Sequence, residues 1–195
     1  MAETQRPSED IEIFFSYSHR DEELRDELEK HLSILERLGL ISTWHDRKIG
    51  SGNEWKGQID SHLNSSNIIL LLISPDFLSS DYCYDIEMHR AIERHDLGEA
   101  RVIPVILRPV DWKGAPFGKI QALPTNAEPV TSKNWSSLDE AFLDIEKGIR
   151  KEVESLISVP KLSKQIFKNR KIIVDQMHRG DYSSISQAVE ASDPG

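Results

Sequence analysis

Apolar residues along the chain fall into two alternating rhythms. IEIFFSY (11–17), ISTWH (41–45), NIILLLIS (67–74) and ARVIPVIL (100–107) are short runs rich in β-branched and aromatic residues. Their length and composition suit buried strands. NIILLLIS is apolar almost throughout, as a central parallel strand covered on both faces should be. Pro104 interrupts ARVIPVIL, and a residue with no N–H to donate favours a position toward the sheet's edge. Between these runs the apolar residues recur at helical spacing. Leu24, Leu28, Leu32, Leu35 and Leu38 mark one helix, stopped by Gly39, the residue best able to take a left-handed conformation. A second helix is predicted over about 54–64, with Trp55, Ile59 and Leu63 on one face, a third over 82–97, and a last over 138–157, with Leu138, Phe142, Ile145, Ile149 and Val153 inward. Ser18-His19-Arg20-Asp21 reads as a capping box opening the first helix. RPVDWKGAPFGKIQALPTN is a proline- and glycine-broken loop, and EPVTS (128–132) is a last short strand.

Strands and helices that alternate in this order imply parallel strands joined by right-handed crossovers. The expected fold is a flavodoxin-like three-layer α/β structure with a five-stranded parallel sheet in the order 2-1-3-4-5. Ligands bind such sheets beyond the carboxyl ends of the strands, where the strand order reverses. Three loops lie there: Tyr17–Asp21, Asp46–Asn53, and Ser74–Asp81, which leads into the helix carrying Glu87. Residues 1–10 are polar and read as a disordered leader. Residues 158–195 read as a tail, a linker or the stub of a further module; 161–178 and SSISQAVEAS have helical character, and the basic excess there contrasts with the rest.

Composition narrows the possibilities. With 38% hydrophobic and 29% charged residues, the chain can build a core and stay in water. A net charge of −9 argues against a general nucleic-acid or anionic-membrane surface, since phosphates would be repelled. No run approaches the roughly 18 apolar residues of a spanning helix, and the leader has no apolar signal core. One cysteine, Cys83, excludes an internal disulfide and fits a reducing compartment. A cytoplasmic location is therefore expected.

Common chemistries can be set aside by their spacing. There is no H-E-x-x-H and no pair of histidines four apart beside a carboxylate, so no metal site is expected. Gly50-Ser51-Gly52 lacks the third glycine of a dinucleotide fingerprint and the lysine step of a P-loop. His89 lies on another helix face from Cys83, which favours a structural cysteine over a nucleophile. A phosphoreceiver domain would need an acidic pair after the first strand, where FFSYS has none.

Four stretches, in order and at the expected elements, carry a family resemblance: IEIFFSYSHRDE, DRKIGSGNEW, LLISPDFLSSDYCYDIE, and RVIPVIL with its Pro-Trp loop. Together they resemble a Toll/interleukin-1 receptor (TIR) domain of the bacterial type over about residues 11–157. The resemblance implies one of two functional classes. One is an NAD+ glycohydrolase that splits the nicotinamide–ribose bond, becomes active when TIR domains assemble, and serves bacterial immune defence or signalling. The other is a non-catalytic adaptor that acts through TIR–TIR association. A nucleoside deoxyribosyltransferase-like enzyme, of related fold, is a third alternative.

For the enzyme, the resemblance assigns catalysis to Glu87, with Tyr82 upstream in the place of a family tryptophan and Asp85 as a rival carboxylate. Asp85 lies about 200° from Glu87 on an ideal helix, so only one of them can face a pocket, and Glu87 shares the less polar face with Cys83, Tyr84 and Ala91. The resemblance also points to Phe15, Tyr17, Trp55, Tyr82 and Cys83 around the nucleotide, to Ser18, His19 and Arg20 near its phosphates, and to Asp46 at a ribose. Plain alternatives stand beside these: core packing for Phe15 and Trp55, helix capping for Ser18, strand termination for Asp46, and a solvated surface charge for Glu87. NAD+ would be a substrate, with no cofactor implied. Other copies, meeting through the Asp46–Asn53 loop, and a sensor joined through the tail would be partners. A lone glutamate suffices chemically, because nicotinamide leaves a cationic pyridinium as a neutral molecule and needs no general acid. Ordinary glycosides need a second carboxyl for that purpose.

Overall fold

The structure, a computed structural model, describes residues 10–48 and 55–158. Residues 1–9, 49–54 and 159–195 lie outside the described residues, and with them most of the expected leader, most of the Asp46–Asn53 loop and the helical stretches of the tail. The chain divides into units Met1–Ser155 and Leu156–Gly195, and the sheet with its ligand-facing edge belongs to the first.

Among the described residues, four strands form one parallel sheet: β1 (Ile11–Ser16), β2 (Ile41–Trp44), β3 (Ile68–Ile73) and β4 (Arg101–Ile106), in the order β2-β1-β3-β4. β1 sits between β2 and β3, pairing Phe14 with Trp44 on one side and Ser16 with Leu71 on the other. All six residues of β3 are buried, which follows from its apolar run: helices cover both faces of the sheet, so no polar position survives within the strand. One face carries Phe14, Ile69, Leu71, Ile73 and Val102. It packs against Ile59 and Leu63 of α2 (Trp55–Ser65) and Ala91 of α4 (His89–Asp96). Alternation sends Ile13, Phe15, Leu70, Leu72 and Val105 the other way. The buried stripes of α1 (Glu22–Arg37; Leu28, Leu32, Leu35) and α5 (Leu138–Ser158; Phe142, Ile145, Ile149, Val153) supply that layer, and the His31 ring on α1 meets Phe142 on α5. No helix of the described residues is long and apolar enough to cross a membrane.

The helix stops follow the glycines. Gly39 and Gly98 take φ of +65° and +68°. After α1, Gly39 N–H donates to Glu36 O and Leu40 N–H to Leu35 O; after α4, Gly98 donates to His95 and Glu99 to Arg94. Both are Schellman endings, which need a left-handed residue at the turn.

Three expectations require correction. The fifth strand, 128–132, is not formed. Its place beside β4 is taken by an isolated parallel bridge between Val105 and Leu123 and by donation from Val130 and Thr131 N–H to Ile106 and Leu107 carbonyls. Pro104 has no N–H to offer along this seam, and Pro124 and Pro129 have none to return, so a continuous ladder cannot close. Pro104 does lie on the outer strand of the four.

The capping box is not formed either. His19–Asp21 is a 3₁₀ turn, the Ser18 side chain caps nothing, and Asp21 N–H donates to the Ser18 carbonyl at 2.8 Å. Asp21 turns inward instead and accepts from Ser74 Oγ at 2.5 Å and Arg108 Nε at 2.8 Å. Charge-assisted bonds from two partners outweigh a single neutral cap. Ser74 in turn accepts from Phe77 N–H at the start of the short helix α3 (Pro75–Leu78). Arg108 reaches on to Asp76. One buried carboxylate thus ties together the loops that follow β1, β3 and β4.

Third, the expected 82–97 helix is not uniform: Tyr82–Met88 is wound as a π helix before α4 begins. Removing the Asp21 carboxylate leaves the Ser74 hydroxyl and the Arg108 guanidinium without their acceptor. Asp21→Ala is expected to lower unfolding free energy by about 2–3 kcal/mol, and Asp21→Asn, which keeps an acceptor, by less. Urea denaturation followed by tryptophan fluorescence measures both; equal stability of Asp21→Ala and wild type would contradict the role given to this group.

Candidate active site

The carboxyl ends of β1 and β3 open on a cavity of about 260 Å³. Its position is the one the parallel topology dictates, where β1 sends its connection to one side of the sheet and β3 to the other. Phe14, Phe15 and Ile59 form the apolar wall, and Tyr17, Ser18, His19, Asp46, Ser80, Cys83 and Glu87 bring the polar groups.

Glu87 is 6% exposed. The π turn projects it from the helix side, whereas Asp85 is exposed, which leaves Glu87 as the carboxyl that faces inward. Ser16, at the last position of β1 and 1% exposed, donates its hydroxyl proton to Glu87 Oε2. Burial pushes the Glu87 carboxyl up to about 8, and the negative charges of Asp46 and Asp60 add to that; the Ser16 hydrogen bond pulls the other way.

Asp46 is fixed from two sides. Tyr17 Oη donates to Asp46 Oδ1 at 2.6 Å, and His19 Nε2 lies 3.4 Å from Oδ2. Burial, then the bond to Asp46, push the Tyr17 phenol well above its ordinary value, so it remains a donor. The residues flanking Asp46 are held by α1, where Glu22, Arg25 and Glu29 lie on one face at spacings of three and four. Glu22 pairs with Arg47 at 2.8 Å, Arg25 Nη1 meets His45 Nε2 at 2.7 Å, and Glu29 pairs with Lys48 at 2.7 Å. The same His45 ring nitrogen lies 3.4 Å from Glu29 Oε2. The same Arg25 guanidinium lies over the Tyr17 ring, 4.9 Å from its centre.

Cys83 Sγ donates to the Tyr17 carbonyl at 3.3 Å. Burial pushes the thiol up to about 11, which keeps it protonated and poorly nucleophilic at neutral pH.

The cavity therefore brings together Phe15, Tyr17, Ser18, His19, Asp46, Cys83 and Glu87 of the residues singled out from sequence. Arg20 does not join them: its side chain is 81% exposed and turns to Asp76, 3.6 Å away, on the outer side of the 3₁₀ turn that sends Asp21 inward. The side chains of Trp55 and Tyr82 lie outside the described residues. Phe14, Ser16, Ile59 and Ser80 were missed. Ser16 had one readable signal, a polar residue closing an apolar strand on the same face as Phe14.

The chemistry available is specific. A shielded carboxyl lines the cavity with one oxygen held by Ser16 and, among the described residues, no hydrogen bond to the other. A second carboxylate and aromatic surface stand opposite. Such a lining suits an electron-poor or cationic group that carries hydroxyls. At about 260 Å³ the space falls short of the roughly 300–1,000 Å³ of sites that enclose a whole drug-sized ligand, so a larger ligand would place only its reacting end inside.

Comparison with known proteins places this chain in a family. Residues 13–140 match the family model described as TIR domain. A relative in Sinorhizobium fredii (strain NBRC 101917 / NGR234), the uncharacterized protein y4lF, is 59% identical over 138 residues, which is 71% of this chain and 42% of the relative. The chain thus spans less than half the length of that relative. Among solved structures, the TIR domain of the Toll-related receptor TRR-2 from Hydra magnipapillata is similar at a TM-score of 0.45 and 24% identity, over 57% of this chain and 81% of that one. With the family model matched over well more than half its length, the chain belongs to the TIR domain family.

Proposed function

We propose that this TIR domain is an NAD+ glycohydrolase that cleaves the nicotinamide–ribose bond and becomes active when TIR domains assemble, in an immune or signalling role. The observation that carries the reading is Glu87, a buried carboxyl with one oxygen held by Ser16 at the wall of a cavity beyond β1 and β3. An exposed helix glutamate needs no such setting, and sheltering a carboxyl from water costs stability.

The steps balance without a general acid. The C1′–N bond breaks, its electron pair goes to the pyridinium nitrogen, and neutral nicotinamide leaves. The oxocarbenium-like ribose is stabilised by the ionised Glu87 carboxylate. Water adds at C1′, and the proton it loses passes to the carboxylate and then to solvent, giving ADP-ribose. Attack by a base of the same nucleotide in place of water gives a cyclic product. In this reading Asp46 and the aromatic wall meet the ribose, and His19 the adjoining phosphate.

The test uses the full chain, concentrated or crowded into assemblies, with NAD+ and chromatographic detection of nicotinamide. Glu87→Gln is expected to reduce release by at least about 100-fold while leaving the fold intact; full activity in that variant would remove Glu87 from the mechanism. Wild-type inactivity under every assembling condition would favour an adaptor that works by association alone, and turnover of free deoxynucleosides without NAD+ would favour a deoxyribosyltransferase-like enzyme. Because the ionised carboxyl is the working form, kcat/KM of the wild type is expected to rise with pH, reach half its plateau near 8 and level off only above that.

The same group makes a stability prediction that needs no substrate. Glu87 titrates near 4.5 when unfolded and near 8 when folded, so between these values the folded chain binds more protons. Stability from this group therefore falls as pH rises through that window. Glu87→Gln, which cannot ionise, is expected to gain on the wild type from pH 5 to pH 8, by up to about 1.4 kcal/mol per pH unit. Thermal unfolding of both proteins across that range measures it, and a pH-independent difference would contradict it.

A further inference from the structure

We propose that Ser16 is a positioning residue for Glu87: from the fixed end of a central strand its hydroxyl holds Oε2 of the carboxylate, leaving Oε1 to the cavity. The inference rests on the cleavage reading above and adds a residue to it. Ser16 is not part of the cavity lining and is almost fully buried, so any effect it has on a ligand passes through Glu87. Its own position is over-determined. β1 is hydrogen-bonded on both sides, and Ser16 pairs in register with Leu71 of β3. The turn that carries Glu87 is tied to the same strand end a second time, by Cys83 Sγ donating to the carbonyl of Tyr17, one residue beyond Ser16. Two bonds from adjacent residues of one strand thus set the rotation of the π turn, a widening of the helix that recurs at functional sites.

The chemistry of a serine suits this task. A hydroxyl has one proton to give, and Ser16 gives it to Glu87. Among the described residues no other hydrogen bond reaches that carboxyl. The remaining groups near it oppose its charge or leave it unaided. Asp46, from the turn after β2, and Asp60, on α2, are both anions; Cys83, on the same turn, has a thiol committed to Tyr17 O; Tyr17 and His19, just past β1, are turned to Asp46. A hydrogen bond to the charged form favours that form. Without it the carboxyl keeps its proton to higher pH and loses the restraint on its rotamer. Both effects lower the working population without removing a contact to the substrate.

The test compares wild type, Ser16→Ala and Ser16→Thr as full chains, by NAD+ turnover against pH and by carbon NMR titration of labelled glutamate carboxyls, the Glu87 signal being assigned from its loss in Glu87→Gln. Ser16→Ala is expected to lower kcat about 10- to 100-fold with KM within about twofold, and to raise both the pH-rate limb and the Glu87 titration midpoint. Ser16→Thr, which keeps the hydroxyl, is expected to restore most of both; where thermal unfolding shows that threonine does not fit, Ser16→Cys, a weaker donor of similar size, is expected to fall between serine and alanine. An unchanged kcat and midpoint in Ser16→Ala overturns the inference, as does a folded Ser16→Thr as impaired as the alanine. In a wild type that releases no nicotinamide the titration alone decides: a midpoint raised in Ser16→Ala keeps the hold of Ser16 on Glu87 while the cleavage reading falls, and an unmoved midpoint overturns the hold as well.

Discussion

Keeping one carboxyl group out of water at the end of a parallel sheet is the constraint around which this site is organised. Burying Glu87 costs folding free energy, because neither the ionised group nor an unpaired neutral one recovers what hydration supplied. The cost is bearable at this point in the fold because the strands end here. Inside the sheet, β3 is paired on both sides and every one of its side chains is buried. At the carboxyl ends the ladder stops, and hydroxyls, carbonyls and a phenol become available without breaking it. Ser16, Tyr17 and Ser74, the last residue of β1 and the residues just past β1 and β3, are the ones that engage Glu87, Asp46 and Asp21.

The two most deeply buried carboxyls at this end of the sheet serve different ends. Asp21 has both oxygens engaged, one by Ser74 and one by Arg108, and does not line the cavity, which makes it a knot between loops. Glu87 has, among the described residues, a single neutral donor and lines a cavity. That contrast, full satisfaction against partial satisfaction, is what separates a structural carboxylate from a candidate catalytic one here. Burial alone would not separate them, since both are nearly inaccessible.

Much of the fold was legible because hydrophobic period carries it. The four strands, the leucine stripe of α1, the inward face of α5 apart from Leu138, which is exposed, and the glycine stop after α1 were visible in the order of residues. The failures share a cause. Whether 128–132 pairs as a strand depends on where Pro104, Pro124 and Pro129 meet in space, and a linear pattern does not show that seam. Whether Asp21 caps its own helix or turns inward depends on Arg108, 87 positions away. In the site, resemblance singled out Glu87, and spacing separated it from Asp85, yet the donor that holds it is 71 positions upstream. Sequence reading finds groups; long-range partners decide what each group does.

The site's two halves are held by different physics, and this bears on how assembly could act. Glu87 is fixed by burial, by a hydroxyl on a central strand and by the turn's second tie to Tyr17. Asp46 accepts from the buried Tyr17 phenol, but the turn around it is steadied by pairs with α1 in which Arg47 and Lys48 are both partly exposed to solvent. Exposed ion pairs are each worth at most about 1 kcal/mol and weaken with salt. A charged surface brought against that loop competes with them on equal terms, whereas nothing of that strength shifts Ser16 or Glu87. The half of the cavity that can be reshaped is therefore the half that Asp46 lines.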